Sequence, residues 1–197
     1  MKTEAMICKG LQFRLHTLFL GIAGNAASLF TNIKSPTRFA MKIKLYSIGK
    51  EDNHDIKMAV ESFSRRIKHY YPMEWGIIAP LKRTTALTGK ELKEKEAGQV
   101  FEILKKNDYL IVLDEKGKML TSIQLASFMQ TKANESTKQL VFLIGGAYGL
   151  DEAIIKRANF VWSLSPLTFP HQLVRLILAE QVYRACTIIK NEKYHHA

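Results

Sequence analysis

The side chains best suited to proton transfer in this sequence lie near its C-terminus. His171 and Arg175 are four residues apart, as are Glu180 and Arg184, so each pair can share one face of a helix. The two pairs fall on roughly opposite faces, so they could not share a site within one isolated chain. Histidine and glutamate accept protons, and arginine can steady such a base or bind a phosphate. A surface ion pair is the alternative interpretation of Glu180 and Arg184.

A short tail closes the chain with Tyr194 and His195. Histidine titrates near neutral pH, so His195 could take a proton or position a water that does. The helix before the tail is about 30 Å long, so the tail cannot easily return to a site at the start of that helix. In a dimer of antiparallel helices, the tail would lie near the partner's site instead. A solvated tail is the alternative, because chain ends are usually poorly ordered.

Two loops have the composition of a ligand-binding surface. Gly145 and Gly146 directly follow an apolar run, and glycine allows the backbone to approach a ligand closely. Their spacing is not the G-x-G-x-x-G of dinucleotide-binding proteins, and an ordinary tight turn is the alternative. The segment 164–170 carries serine, threonine and two prolines. Its free backbone groups could hydrogen-bond the edge of an adenine.

Strands that alternate with helices must position these loops. The sequence predicts strands at 43–48, 74–79, 109–113, 140–144 and 160–164, a turn at 114–117, and helices at 53–71, 88–106, 121–133, 151–158 and 171–189. Thr88 and Glu91 form the pattern of a capping box. Such alternation indicates an α/β domain with a mostly parallel sheet flanked by helices. In these sheets, ligands bind beyond the carboxyl ends of the strands.

Composition favours an anionic partner and a reducing compartment. The 197 residues carry a net charge of +11. A charge of this size favours RNA, although a merely basic soluble protein is the alternative. Cys8 and Cys186 are the only cysteines, which argues against a disulfide framework or a cysteine-based metal site. We therefore expect a cytoplasmic protein with no metal centre.

Residues 1–40 differ from the rest of the chain. The apolar run 15–30 is interrupted by glycines and is too short to span a membrane, which takes about 20 apolar residues. In outline it resembles a signal peptide. A strand that opens at Met41 favours a second interpretation, in which 1–40 is an unstructured leader or upstream extension. The domain would then comprise residues 41–197, without a membrane anchor.

From Met41 to His196 the chain resembles the SPOUT superfamily of methyltransferases. It is most similar to the branch that methylates N3 of a pseudouridine in 23S ribosomal RNA. The similar motifs occur in the expected order and spacing. They are residues 113–114, 143–149, 163–171, 173–175, 179–180, 183–185 and 194–195.

The resemblance implies a C-terminal deep trefoil knot, which is rare among folds. It also implies S-adenosylmethionine as methyl donor, a homodimer joined through the final helix, and ribosomal RNA as substrate, in the assembled ribosome. The donor would lie in the knot against Leu113, Gly145, Gly146, Leu164, Ser165, Pro166, Leu167, Thr168, Phe169 and Pro170. The candidates for proton transfer and for positioning the RNA are His171, Arg175, Glu180, Arg184, Tyr194 and His195.

Two other functions would explain part of the sequence. A non-catalytic RNA-binding or ribosome-assembly protein would account for the charge but not for the glycine and proline loops. A different nucleotide-binding α/β enzyme would account for the loops. A measurement of bound S-adenosylmethionine distinguishes all three.

Overall fold

The computed structural model describes residues 41–50, 53–80 and 87–194. The predicted extension 1–40 and His195 lie outside these residues. The strands are β1 (Lys42–Ile48), β2 (Met73–Ile78), β3 (Tyr109–Met119), β4 (Gln139–Ile144) and β5 (Phe160–Ser163). The helices are α1 (His54–Ile67), α2 (Gly89–Ile103), α3 (Ser122–Asn134), α4 (Glu152–Arg157) and α5 (His171–Ile189).

The strands form one sheet in the order β2-β1-β4-β3-β5, and every neighbouring pair is parallel. This confirms the predicted α/β architecture. Helices α1, α3 and α5 cover one face of the sheet, where Phe142 of β4 lies in the core. Helices α2 and α4 cover the other face, where Val141 and Leu143 lie. Both faces are buried, which explains why the central strand is wholly apolar from Leu140 onward.

Local hydrogen bonds define where the helices begin. Thr88 and Glu91 form the predicted capping box at the start of α2. Thr121 forms a second capping box with Gln124 at the start of α3. Asp151 accepts a hydrogen bond from the backbone N–H of Ala153 and so caps α4. Each such cap stabilises its helix by about 1 kcal/mol.

Strand β3 continues beyond its predicted end at Leu113, and the predicted turn at 114–117 is instead a bulge within the strand. Leu113 pairs with Trp162 of β5, and after a register shift Lys118 pairs with the same residue. A Cβ atom at Gly117 would lie 2.7 Å from the carbonyl carbon of Trp162, so a glycine permits this approach. Pairing with a distant strand extends β3, and it places residues 114–116 at the edge of the sheet's carboxyl end.

Helices α1 and α2 end a few residues earlier than predicted, at Ile67 and Ile103. None of the helices that the structure describes is long and apolar enough to cross a membrane.

Candidate active site

A cleft of about 580 Å³ lies at the carboxyl ends of β3, β4 and β5. The loops that follow these strands form its walls, as the topology of a parallel sheet leads one to expect. Eight of the ten predicted donor-binding residues line it: Leu113, Gly145, Gly146, Leu164, Ser165, Leu167, Thr168 and Phe169. Pro166 and Pro170 belong to the same loop but do not line the cleft. His171, at the start of α5, lines it as well.

The glycines after β4 lie too close to their neighbours for any larger residue. A Cβ atom at Gly145 would lie 2.9 Å from Cγ of Leu150 and 3.1 Å from the carbonyl carbon of Gly149. A Cβ atom at Gly146 would lie 2.7 Å from Oε2 of Glu96. The turn closes where the backbone N–H of Gly149 donates to the carbonyl of Gly146 at 3.0 Å. The backbone therefore forms this wall of the cleft.

The loop after β5 is held by its own serines. The hydroxyl of Ser163 donates to the carbonyl of Ser165 at 3.1 Å, and the backbone N–H of Leu167 donates to Oγ of Ser165 at 3.0 Å. Trp162 also lines the cleft, and its buried indole N–H has no hydrogen-bond partner among the described residues. A buried donor of this kind is costly unless a water or a ligand satisfies it.

The cleft is also lined by five charged residues that were not predicted to bind the donor. They are Lys93, Asp114, Glu115, Lys116 and Glu152. Residues 114–116 directly follow the buried part of β3, and charge at the carboxyl end of a parallel strand is a signal that could have revealed them. Lys93 and Glu152 lie on helices, where nothing in the local sequence marks them.

A second cavity, of about 690 Å³, adjoins the cleft and shares Gly146 and His171 with it. Its remaining walls come from the end of β1, from α2 and from the first turns of α5. They are formed by Ile48, Gly49, Lys50, Pro80, Leu92, Glu96, Ala147, Gln172 and Arg175.

Arg175 is almost completely buried, with 1% of its surface exposed. Its Nε donates to the hydroxyl of Ser47 at 2.8 Å, and its Nη1 donates to the carbonyl of Lys50 at 2.7 Å. The structure thus places the guanidinium against the end of β1, where it attaches α5 to the sheet. Burial, together with the charge of Arg175, lowers the pKa of His171, so that histidine favours its neutral form.

Glu96 was also not predicted as a site residue from the sequence. It is buried, and that burial raises the pKa of its carboxyl group. It stands four residues after Leu92 and four before Val100, both of which are buried on α2. A glutamate within an apolar stripe at helical spacing is a signal that could have revealed it.

The other predicted catalytic residues form a separate group on the second half of α5. Both Nε and Nη2 of Arg184 donate to Oε1 of Glu180, at 2.9 and 2.6 Å, and the hydroxyl of Tyr194 donates to the same oxygen at 3.2 Å. The Tyr194 ring packs edge-on against Tyr183. The bond to Glu180 raises the pKa of Arg184, and burial raises the pKa of Tyr194. None of Glu180, Arg184 and Tyr194 lines the cleft or the second cavity.

Comparison with known proteins identifies the family. The family model described as "Predicted SPOUT methyltransferase" matches residues 41–195. A protein of Cytophaga hutchinsonii named "Ribosomal RNA large subunit methyltransferase H" is 46% identical over 156 residues, which cover 79% of this chain and 100% of that protein. Proteins with the same name from Parabacteroides distasonis and Geobacter metallireducens are 44% and 38% identical, covering 79% and 80% of this chain and 99% and 100% of theirs. This chain therefore belongs to the SPOUT methyltransferase family.

Proposed function

We propose that this chain transfers a methyl group from S-adenosylmethionine to N3 of a pseudouridine in 23S ribosomal RNA. One observation carries the proposal: the match to the Cytophaga hutchinsonii protein extends over that protein's whole length at 46% identity. A match of this extent includes all three loops that line the cleft. The net charge of +11 supports an RNA substrate, because phosphates attract a basic surface.

The cleft fits S-adenosylmethionine. Its volume lies within the range of about 300–1,000 Å³ that small-molecule sites occupy. The backbone at Gly145 allows the close approach that an adenosine requires. Lys93 and Lys116 can bind a carboxylate, and Asp114 can bind an ammonium group or ribose hydroxyls. When bound, S-adenosylmethionine supplies a methyl group attached to a positively charged sulfur. A nitrogen lone pair can attack the methyl carbon, and the sulfur is then the leaving group.

We further propose a homodimer, in which one chain holds the donor and the tail of the other completes the site. Val182 of α5 is buried within its own chain, where α5 packs on α1 and α3, so it is not available to a partner. The support comes from large apolar side chains left exposed near the cleft, namely Leu173 at the start of α5, together with Met119 and Leu167. Met119 pairs with Ser163, four residues before Leu167, so two of the three lie close together. Sedimentation at micromolar concentration should give a dimer, and a monomer with full activity would contradict the proposal.

The proposed reaction takes place in the cytoplasm, on ribosomes. Calorimetry should detect S-adenosylmethionine binding to the full chain. Ribosomes from cells that lack this protein should then accept a labelled methyl group, and mass spectrometry of the digested RNA should locate it on a pseudouridine. A parallel reaction with free 23S RNA tests the assembled ribosome as the substrate. A methyl group on another base, or no binding of the donor, would overturn the proposal.

A further inference from the structure

The second cavity contains a carboxyl group that has no polar partner among the described residues. Glu96 is 4% exposed. It makes no hydrogen bond or ion pair with any other residue in the described part of the chain. A buried, unpaired carboxylate is costly, and groups of this kind are concentrated at functional sites. Within the described part of the chain, Glu96 attaches α2 to no other element through a polar contact, so the packing of α2 does not explain it.

Glu96 lies at the boundary between the cavity and the donor cleft. Gly146 lines both the cleft and the cavity, and a Cβ atom at Gly146 would lie 2.7 Å from Oε2 of Glu96. The cleft alone has room for a ligand of the donor's size. The adjoining cavity is therefore available for the acceptor. A base flipped into it would lie beside the donor, and Glu96 would stand at the edge of the ring without separating the two.

We propose that this cavity receives the target pyrimidine and that the Glu96 carboxylate removes the imide proton, an inference that rests on the proposed function. Ile48, Pro80 and Leu92 offer apolar surface to the faces of the ring. The imide N–H stands between two carbonyl groups. Lys50 and Gln172 line the same cavity and can donate to those carbonyls.

The step balances without a further reactant. The N3–H bond of the pyrimidine breaks, and an O–H bond to Glu96 forms. The electron pair left on N3 forms the new bond to the methyl carbon, while the carbon–sulfur bond of the donor breaks and its electron pair stays on sulfur. Glu96 then releases its proton to water. Burial raises the pKa of Glu96 and so makes its carboxylate a stronger base than an exposed glutamate.

Glu96→Gln tests the inference, because it removes the charge and keeps the shape. The matched control is Glu94→Gln, which changes an exposed glutamate of the same helix. Single-turnover methylation of ribosomes by Glu96→Gln should fall by about a hundredfold or more, as for loss of a general base. Its affinity for S-adenosylmethionine should stay within about twofold of the unchanged protein, since the proposed role concerns the acceptor. Glu94→Gln should match the unchanged protein in both measurements.

The pH profile and a direct titration supply readouts that a structural role would not change. The unchanged protein should lose activity as the pH falls through the pKa of Glu96, because the carboxylate becomes protonated; Glu96→Gln should lack this limb. Lys50, His171 and Arg175 also face the cavity, so a His171→Gln profile separates the histidine's titration from that of Glu96. Carboxyl-carbon NMR of the donor-free protein should show a glutamate that titrates above the ordinary range and is absent in Glu96→Gln.

Each outcome bears on the inference. A normal rate for Glu96→Gln would overturn it. A large loss of donor affinity would also overturn it, because Glu96 would then bind the donor's ammonium group. If Glu96→Gln fails to fold, Glu96→Asp must retain more activity than Glu96→Ala for the inference to stand. If the unchanged protein does not methylate ribosomes, the proposed function itself is refuted. A normal rate for Glu96→Gln, by contrast, overturns the role of Glu96 and leaves the proposed function intact.

Discussion

Each half of α5 pairs a proton-accepting side chain with an arginine four residues later, His171 with Arg175 and Glu180 with Arg184, but the surroundings of the two pairs differ. Near its start, Arg175 is 1% exposed and bonds to Ser47 and to the backbone of Lys50. In its second half, the side chains of Arg184 and Glu180 are 27% and 20% exposed and bond to each other. Burial thus decides the role of each arginine. Arg175 attaches the helix to the sheet beside the cleft, whereas Arg184 belongs to a polar group that solvent can reach.

The second group does not extend to the cleft of its own chain. Tyr194 contacts Glu180, which is nine residues beyond His171, or about 13 Å along the helix. The described part of the tail therefore turns back onto the middle of α5. The comparison favours two half-sites on one helix. The first half-site is the cleft at the start of α5, and the second is the group of Glu180, Arg184 and Tyr194. A dimer could join the first half-site of one chain to the second half-site of the other.

Gly145→Val should abolish binding at the first half-site. A Cβ atom there would lie 2.9 Å from Cγ of Leu150 and 3.1 Å from the carbonyl carbon of Gly149, so the backbone turn that forms this wall of the proposed donor site must shift. Affinity for S-adenosylmethionine should fall by about a hundredfold or more, a loss of roughly 3 kcal/mol. Calorimetry measures the affinity, and thermal unfolding should show that the domain stays folded. Gly98→Val is the control, because a Cβ atom at Gly98 meets nothing within 4 Å. Unchanged affinity in Gly145→Val would place the donor elsewhere.

Deletion of residues 194–197 should disable the second half-site and spare the first. Donor affinity should stay intact, while methylation falls by about a hundredfold because the acceptor is no longer positioned against the donor. Mixing this variant with the Gly145→Val chain should restore part of the activity, since a mixed dimer regains one complete site. Methylation of ribosomes by the truncated protein at the normal rate would show that the tail has no catalytic part.

Arg175→Met and Arg184→Met should differ in their cost to folding. The first leaves buried acceptors without a charged donor, and each such hydrogen bond contributes about 1.5–3 kcal/mol. The second breaks a partly exposed pair, which contributes about 1 kcal/mol or less. Denaturant unfolding of the two variants gives the difference directly. Equal losses would mean that burial does not distinguish the two arginines.

A chain that starts at Met41 should behave as the full chain does. This prediction is motivated by β1, which begins at Lys42, and by the family model, which matches residues 41–195. The melting temperature and the donor affinity of the two chains should agree within error. A marked loss of either in the shorter chain would assign residues 1–40 to one of the half-sites.

Local interactions made most of the fold predictable. The caps at Thr88 and Asp151 connect residues two or three positions apart, so they can be read directly from sequence. The apolar runs of the central strands identified a parallel sheet, and its carboxyl edge located the cleft. The family membership confirms the resemblance to SPOUT methyltransferases. The all-parallel sheet is consistent with the knotted fold that this resemblance implied.

Long-range contacts account for what the sequence did not reveal. The bulge in β3 depends on pairing between Lys118 and Trp162, and the role of Arg175 depends on Ser47, which lies 128 residues earlier. Glu96 lies on the buried face of α2, and its proximity to Gly146 and to the start of α5 follows from contacts between distant segments. The elements, their order and the loops of the cleft follow from periodicity and short-range hydrogen bonds, so they could be predicted from the sequence. The polar partners and the cavity that surround each buried charged group come from segments that are distant in the chain and close in space, so they became visible in the folded structure.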